Sequence, residues 1–281
     1  MNYYKSLIKF GLALCVLFLV DCRGVGTNEA VMPNDSVAVN VTTLKDTTCF
    51  NLSQGGKCNI LANATITYPD KFKDKITTEK LQKLFADFVL DAGDSVSFDS
   101  AIKNYAKMVI NQYGSEDSDA PYDDEDCDDE TVYRYNSDIN ISVVLNADNI
   151  ITFCKEETVK KNGEVTMQTH NYYNFDLDSM TLIDLPRLFK EESYDDITKL
   201  LKSNLMSQNH VKTEAELNDL GYYNLDNLTL TNNFFFTKDK IVWSYEPNEL
   251  AIASVGEPQI GLSVESMQNY LCDNSVLLRL I

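Results

Sequence analysis

The chain of 281 residues sets 43 aspartates and glutamates against 24 lysines and arginines, for a formal charge of −19. Such acidity repels nucleic-acid phosphates and anionic lipid head groups, so neither is expected as a charge-driven partner. Beyond a leader, roughly 260 residues remain, enough to bury the core of one large domain or two small ones.

Lys5 and Lys9 precede an apolar run from Phe10 to Val20. That run has the length of a signal-peptide core and falls short of the ~20 residues that span a bilayer. Residues 1–21 therefore read as a signal peptide. Leu19 and Cys22 fit the Leu-x-x-Cys pattern of a lipoprotein signal, with Asp21 where that pattern places a small residue. The expectation is lipid attachment at Cys22, contact with the membrane through that lipid anchor, and residence in the cell envelope as a periplasmic or outer-membrane lipoprotein. Residues 22–46 are polar and aperiodic, the composition of a tether. Past the leader stand Cys49, Cys58, Cys127, Cys154 and Cys272. Cys49 and Cys58 are the expected disulfide, with Gly55 and Gly56 turning the chain between them; closing so short a loop contributes roughly 2.5–3 kcal/mol. No CxxC pair occurs, so a redox or zinc motif has no support.

Ile60, Ala62, Ala64, Ile66 and Tyr68 alternate with polar neighbours as a half-buried strand. Thr78 is placed to cap a helix bearing Leu81, Leu84, Phe85, Phe88 and Val89, which Gly93 stops. A second helix carries Ile102, Tyr105, Val109 and Tyr113, closed by Gly114. Residues 115–130 carry ten acidic side chains in sixteen positions but lack calcium-loop spacing, and read as a solvated loop. Ile139 to Phe153 forms a hairpin around Asn146–Asn149; Asn162-Gly163 turns again into a long strand from Val165 to Leu177. A short helical segment over 181–190, a helix from Ser193 with Ile197, Leu201 and Leu205, and a capping box at Thr213 and Glu216 follow. Strands then return at Phe234–Phe236, Ile241–Glu246 and Ile260–Val264. The order predicts an α+β fold of antiparallel sheets with helices packed on one face, in two subdomains, 47–164 and 165–281.

The residues least explained by packing are Tyr245, Glu246, Asn248 and Glu249, at a strand end where Pro247 cannot donate to a ladder. As a binding edge, Glu246, Asn248 and Glu249 would be exposed beside Tyr245, with Trp243 buried beneath. In the competing reading, Glu249 caps local N–H groups and fixes the turn.

Tyr173-Asn-Phe-Asp-Leu177, with Thr181-Leu-Ile-Asp-Leu185 and Leu188-Phe189, resembles the "YNFDL … LtLsDLF" run of the domain of unknown function at the C-terminus of RsiV, the lysozyme-binding anti-sigma factor. Tyr245, Pro247, Asn248, Glu249, Leu250, Ala251, Gly256 and Tyr270-Leu271 resemble that family's "YxPYEIAPYAxG … YL" signature. The likeness covers about residues 49–271 and is greatest to Bacteroidetes-type lipoprotein members. A histidine-bearing loop common before the YNFDL strand is replaced here by Lys161-Asn-Gly-Glu164. The resemblance implies an extracytoplasmic module that binds a protein, lysozyme in the case of RsiV, or a cell-wall glycan. Catalysis finds little to build on. No carboxylate pair stands out for glycoside hydrolysis, and neither His170 nor His210 adjoins a nucleophile elbow. The expectation is a non-catalytic binding module without metal or cofactor. A glycan-active hydrolase and a structural subunit of a surface complex are the alternatives.

Overall fold

The computed structural model describes residues 36–51, 57–93, 95–114 and 132–279. The leader with Cys22, the Gly55-Gly56 turn and the acidic stretch with Cys127 lie outside the described residues. Strands β1 (Ala38–Asn51) and β2 (Lys57–Lys71) pair antiparallel. Helix α1 (Lys75–Leu84) runs through a π-helical turn at Phe85–Val89, and α2 (Phe98–Gly114) follows. Then come β3 (Val132–Ala147), β4 (Ile150–Lys161), β5 (Glu164–Asp176) and the short β6 (Thr181–Leu182). These six strands make one sheet in sequence order, antiparallel throughout except where β2 meets β3. A parallel pair cannot be closed by a tight turn, and α1 and α2 lie in the crossover that joins it.

The rest of the chain builds α3 (Leu185–Leu188), α4 (Tyr194–Gln208), α5 (Glu214–Asp219) and a three-stranded antiparallel sheet of β7 (Phe234–Phe236), β8 (Lys240–Ser244) and β9 (Gln259–Ser263), closed by α6 (Val264–Met267). The expected α+β class holds. No helix among the described residues is long and apolar enough to cross a membrane.

Local chemistry explains most boundaries. Asp74, one turn before Thr78, is the cap of α1: its Oδ1 accepts from Thr77 N at 2.9 Å. Thr78 instead ties the first turn back to the carbonyls of Phe72 and Asp74. Thr213 and Glu216 form the reciprocal capping box that opens α5. Asp148 and Asn149 (both φ 55°), and Asn162 (φ 51°) with Gly163 (φ 94°), supply the paired positive φ that tight hairpins need.

Two hydrophobic cores result. In the first, Ile60, Ala64 and Ile66 of β2 meet Leu81, Phe85, Tyr105 and Val109 from the helices and Phe153 and Phe175 from β4 and β5. In the second, Ile197, Leu201 and Leu205 of α4 pack with Phe234, Ile241, Trp243 and Ile260 of the small sheet. Each fully buried side chain of this size contributes about 1.5–3 kcal/mol. Apart from Ile150, which joins the second core, the cores divide between Leu177 and Ile183, so a boundary at 164/165 is displaced: it falls at the first residues of β5, inside one sheet.

Two further expectations are corrected. The tether ends earlier, because Val37 is buried and residues from Ala38 onward are β1. Cys49 and Cys58 are not joined: Cys49 lies opposite Asn59 and Cys58 opposite Phe50. Adjacent rungs put side chains on opposite faces of a sheet, so Cys49 is exposed and Cys58 sits in the first core.

The seam between the halves is polar. Thr152, Cys154 and Glu156 of β4 share a face with Asn174, Tyr172 and His170 of β5, opposite the face that carries α1 and α2. Against it lies the start of the small sheet. Asn174 accepts from Thr152 Oγ1 at 2.8 Å and donates to the Phe234 carbonyl at 2.7 Å. Asn233 accepts from Tyr172 N at 3.0 Å and donates to the His170 carbonyl at 2.8 Å. One side-chain amide thus fills a rung of the ladder along the open edge of β5.

The chain end is clamped to the same strand. Arg279 Nη1 lies 2.7 Å from Asp176 Oδ1 and 3.2 Å from Asp178 Oδ2. Burial alone would push the Asp176 carboxyl up, but bonds from Arg279, Ser179 and the Asp178 backbone outweigh it and hold it below the usual range. A depressed folded-state pKa gives stability that is present above the ordinary carboxylate range and lost as pH falls through the folded value. Arg279→Ala is therefore expected to cost about 1.5–3 kcal/mol at neutral pH. Denaturant titrations at descending pH should show the gap from wild type closing once Asp176 is protonated.

Candidate functional site

The strand end after Trp243 was the expected site. Alternation along β8 does not stop at the last ladder pair: Ile241, Trp243 and Tyr245 are all buried, with Tyr245 only 1% exposed. Its backbone N donates to the Pro258 carbonyl at 3.0 Å and its hydroxyl to the Thr229 carbonyl at 2.9 Å. Burial, with Glu249 adding to it, pushes the phenol well above its ordinary range. Tyr245, read from the sequence as part of a binding edge, is instead a member of the second core. Glu249 turns back on its own loop, accepting from Glu246 N at 2.9 Å while its own N donates to the Glu246 carbonyl at 3.0 Å. Asn248 sits at φ 65° and accepts at its carbonyl from Tyr223. Gly221 packs the same loop closely, since a Cβ there would stand 2.7 Å from Ile252 Cδ1. Glu249 and Tyr245 are holding groups. Only Asn248 and Glu249 are exposed; Glu246 is half-buried.

Glu246 belongs to a cluster that sequence reasoning missed. His170 Nδ1 lies 2.5 Å from Glu257 Oε2, a close approach without hydrogen-bond angles, and its Nε2 lies 3.8 Å from Glu156 Oε1. Ser244 donates to the other Glu257 oxygen at 2.6 Å. Burial raises the Glu246 carboxyl, with Glu257 and Glu249 adding to it and His170 opposing. These groups come from β4, β5, the end of β8 and the loop before β9, so no local motif marks them.

The order of the contacts limits the chemistry. In a relay the imidazole stands between hydroxyl and carboxylate; here Glu257 stands between Ser244 and His170. Cys154, next to the cluster, is pushed up to about 11, chiefly by burial, and a thiol at neutral pH is a poor nucleophile. The two His170 nitrogens face different carboxylates, and no group of three or more His, Cys, Asp or Glu among the described residues is placed to hold a metal ion.

Beside this cluster, the β5 edge opens into a cleft of about 350 Å³ lined by Asn171, Tyr172, Tyr173, Leu182, Ile183, Asp184, Asn232 and Asn233. Tyr172 and Tyr173 point to opposite faces of β5, so the cleft wraps the strand edge. Tyr172 is stacked on Phe235 at 4.5 Å between ring centroids, and its hydroxyl accepts from Gln259 at 3.4 Å. Asp184 is the cap of α3. Asn232 accepts from Leu185 N at 3.0 Å. The Asn171 amide takes part in none of the seam's hydrogen bonds and is unspent. Asn171 and Tyr172 lie next to the YNFDL-like run, and Asn232-Asn233 precede the Phe234–Phe236 strand; only their convergence was hidden.

Residues 186–265 match the model of DUF3298, a family described as proteins of unknown function. A solved DUF3298 family member from Bacteroides fragilis superposes with a TM-score of 0.68 at 20% identity, covering 88% of this chain and 98% of that one. The fold is the one DUF3298 proteins adopt. A second, from Pseudomonas aeruginosa, gives a TM-score of 0.58 at 11% identity over 86% of this chain and 97% of its own. No curated protein matches the sequence. The DUF3298 match spans α4 and the small sheet, whereas the structural likeness extends across both sheets.

If Glu249 and Tyr245 serve the turn, their loss should register in stability. Glu249→Ala is expected to lower it by about 0.5–2 kcal/mol and Tyr245→Phe, which orphans the Thr229 carbonyl, by about 1–3 kcal/mol. Melting curves check both; an unchanged midpoint for Glu249→Ala would return that side chain to the pool of binding groups.

Proposed function

We propose that this chain is a non-catalytic binding module, held at the cell envelope, that takes its ligand at the β5 cleft. The observation that carries the reading is the cleft's unspent polar lining: the Asn171 amide and the Asn232 Nδ2 group open onto a preformed cavity at the junction of two sheets. Ligand sites favour such junctions, with a few convergent polar groups among apolar walls. The inverted Ser244–Glu257–His170 order and the raised Cys154 thiol favour binding over nucleophilic chemistry. The resemblance to the RsiV C-terminal domain supports the same class of role, with a protein or a cell-wall glycan as ligand. The leader and Cys22 support a lipid anchor.

Both parts are testable. In cells given labelled palmitate, wild type should incorporate label and Cys22→Ala should not; equal labelling overturns the anchor. Immobilised protein should capture an envelope component that the Asn171→Ala/Asn232→Ala double variant fails to retain. Capture equal in both, or product released from an envelope polymer, would remove the binding reading of the cleft.

A further inference from the structure

Resting on that reading, we infer that the β5 cleft binds a neutral saccharide. The lining contains no cationic side chain, and a strongly acidic chain repels anions, so phosphate and carboxylate ligands have nothing to meet. Arg187, three residues beyond Asp184, is not part of the lining and donates to Thr181 and Ser179. A cationic ligand fares little better. Asp184 is the one carboxylate in the lining, and it is engaged with the Arg187 backbone N–H at the start of α3.

An extended peptide is disfavoured on separate grounds. Strand addition needs free backbone groups along the edge. Here the His170 carbonyl and Tyr172 N–H are taken by Asn233, and the Asn174 carbonyl by Ile183 N at 2.7 Å. What remains on offer is side-chain chemistry: the whole amide of Asn171, the Nδ2 group of Asn232 and the tyrosines at the strand edge.

That set fits a sugar ring. Its hydroxyls both donate and accept, matching amides that do the same, while its C–H face lies against aromatic rings, which combine an apolar body with a polar tip. Tyr172 is already fixed by Phe235 and Gln259, and Asn232 by Leu185 N, so little side-chain freedom is lost on binding. About 350 Å³ lies at the small end of ligand sites, room for a short oligosaccharide's end rather than a broad surface.

The test is calorimetric titration of the full mature chain with neutral oligomers of β-glucan, α-glucan, mannan and N-acetylglucosamine, and with an oligogalacturonate as anionic control. At least one neutral oligomer should bind saturably and the anionic one should not. Asn171→Ala should weaken binding by about tenfold or more at an unchanged melting temperature, and Asn232→Ala should weaken it too. Absence of saturable binding by every neutral oligomer at millimolar concentration overturns the saccharide, as does binding that both variants retain. If no sugar binds while capture from envelope extract still depends on Asn171 and Asn232, the saccharide falls and the binding module stands. If neither sugar nor extract responds to the variants, both fall.

Discussion

The structure depends on a side chain doing the work of a strand. β5 is covered on one side by β4, but β6 reaches only Phe175 and Asp176, leaving the edge upstream with unpaired backbone groups. Buried backbone polar groups left without partners cost about 1–3 kcal/mol each. Asn233 supplies both a donor and an acceptor at the spacing of a rung, and Asn174 reaches outward to the Phe234 carbonyl. These two amides fix the register of the small sheet against the large one. The cleft and the carboxylate–histidine cluster both exist because the halves meet there at a set distance.

That arrangement also explains why the seam stays polar. An apolar seam would merge the two cores; a seam of amides, carboxylates and one histidine keeps them separate yet aligned. Hydrogen bonds are directional, so a join made from them specifies geometry where hydrophobic contact would tolerate sliding. The Asn63–Asp138–Lys160 contacts continue the polar character along the sheet face opposite the helices.

Much of the fold was legible in the sequence because local rules and global packing agree. The alternation of Ile60 to Ile66, the stripes of α1 and α2, the Asn-rich hairpin turns and the Thr213–Glu216 box each point to the element found. β1 was missed for a physical reason: Val39 and Val41 are exposed, while the half-buried positions hold Thr42, Asp46 and Thr48 beside a single large apolar residue, Leu44. That inversion hides an edge strand among tether-like residues. The disulfide failed because proximity in sequence says nothing of which face each residue takes. At the site, Tyr245 was read as part of a binding edge, whereas the alternation of Ile241 and Trp243 continues to it and buries it. The cluster of Glu156, His170, Ser244 and Glu257 is assembled from distant segments, so no spacing could announce it.

The single parallel pairing has a consequence for birth on the ribosome. The β1–β2 hairpin is complete at Lys71, but the strand that covers the other edge of β2 begins only at Val132. At ~5–20 residues per second, that edge waits on the order of 3–12 s for its neighbour. An uncovered edge invites association with other nascent chains. Asn59, Asn63, Thr65 and Thr67 on the open face of β2 make the wait safer than a run of valines would, so polarity there protects the chain before it has a fold to protect.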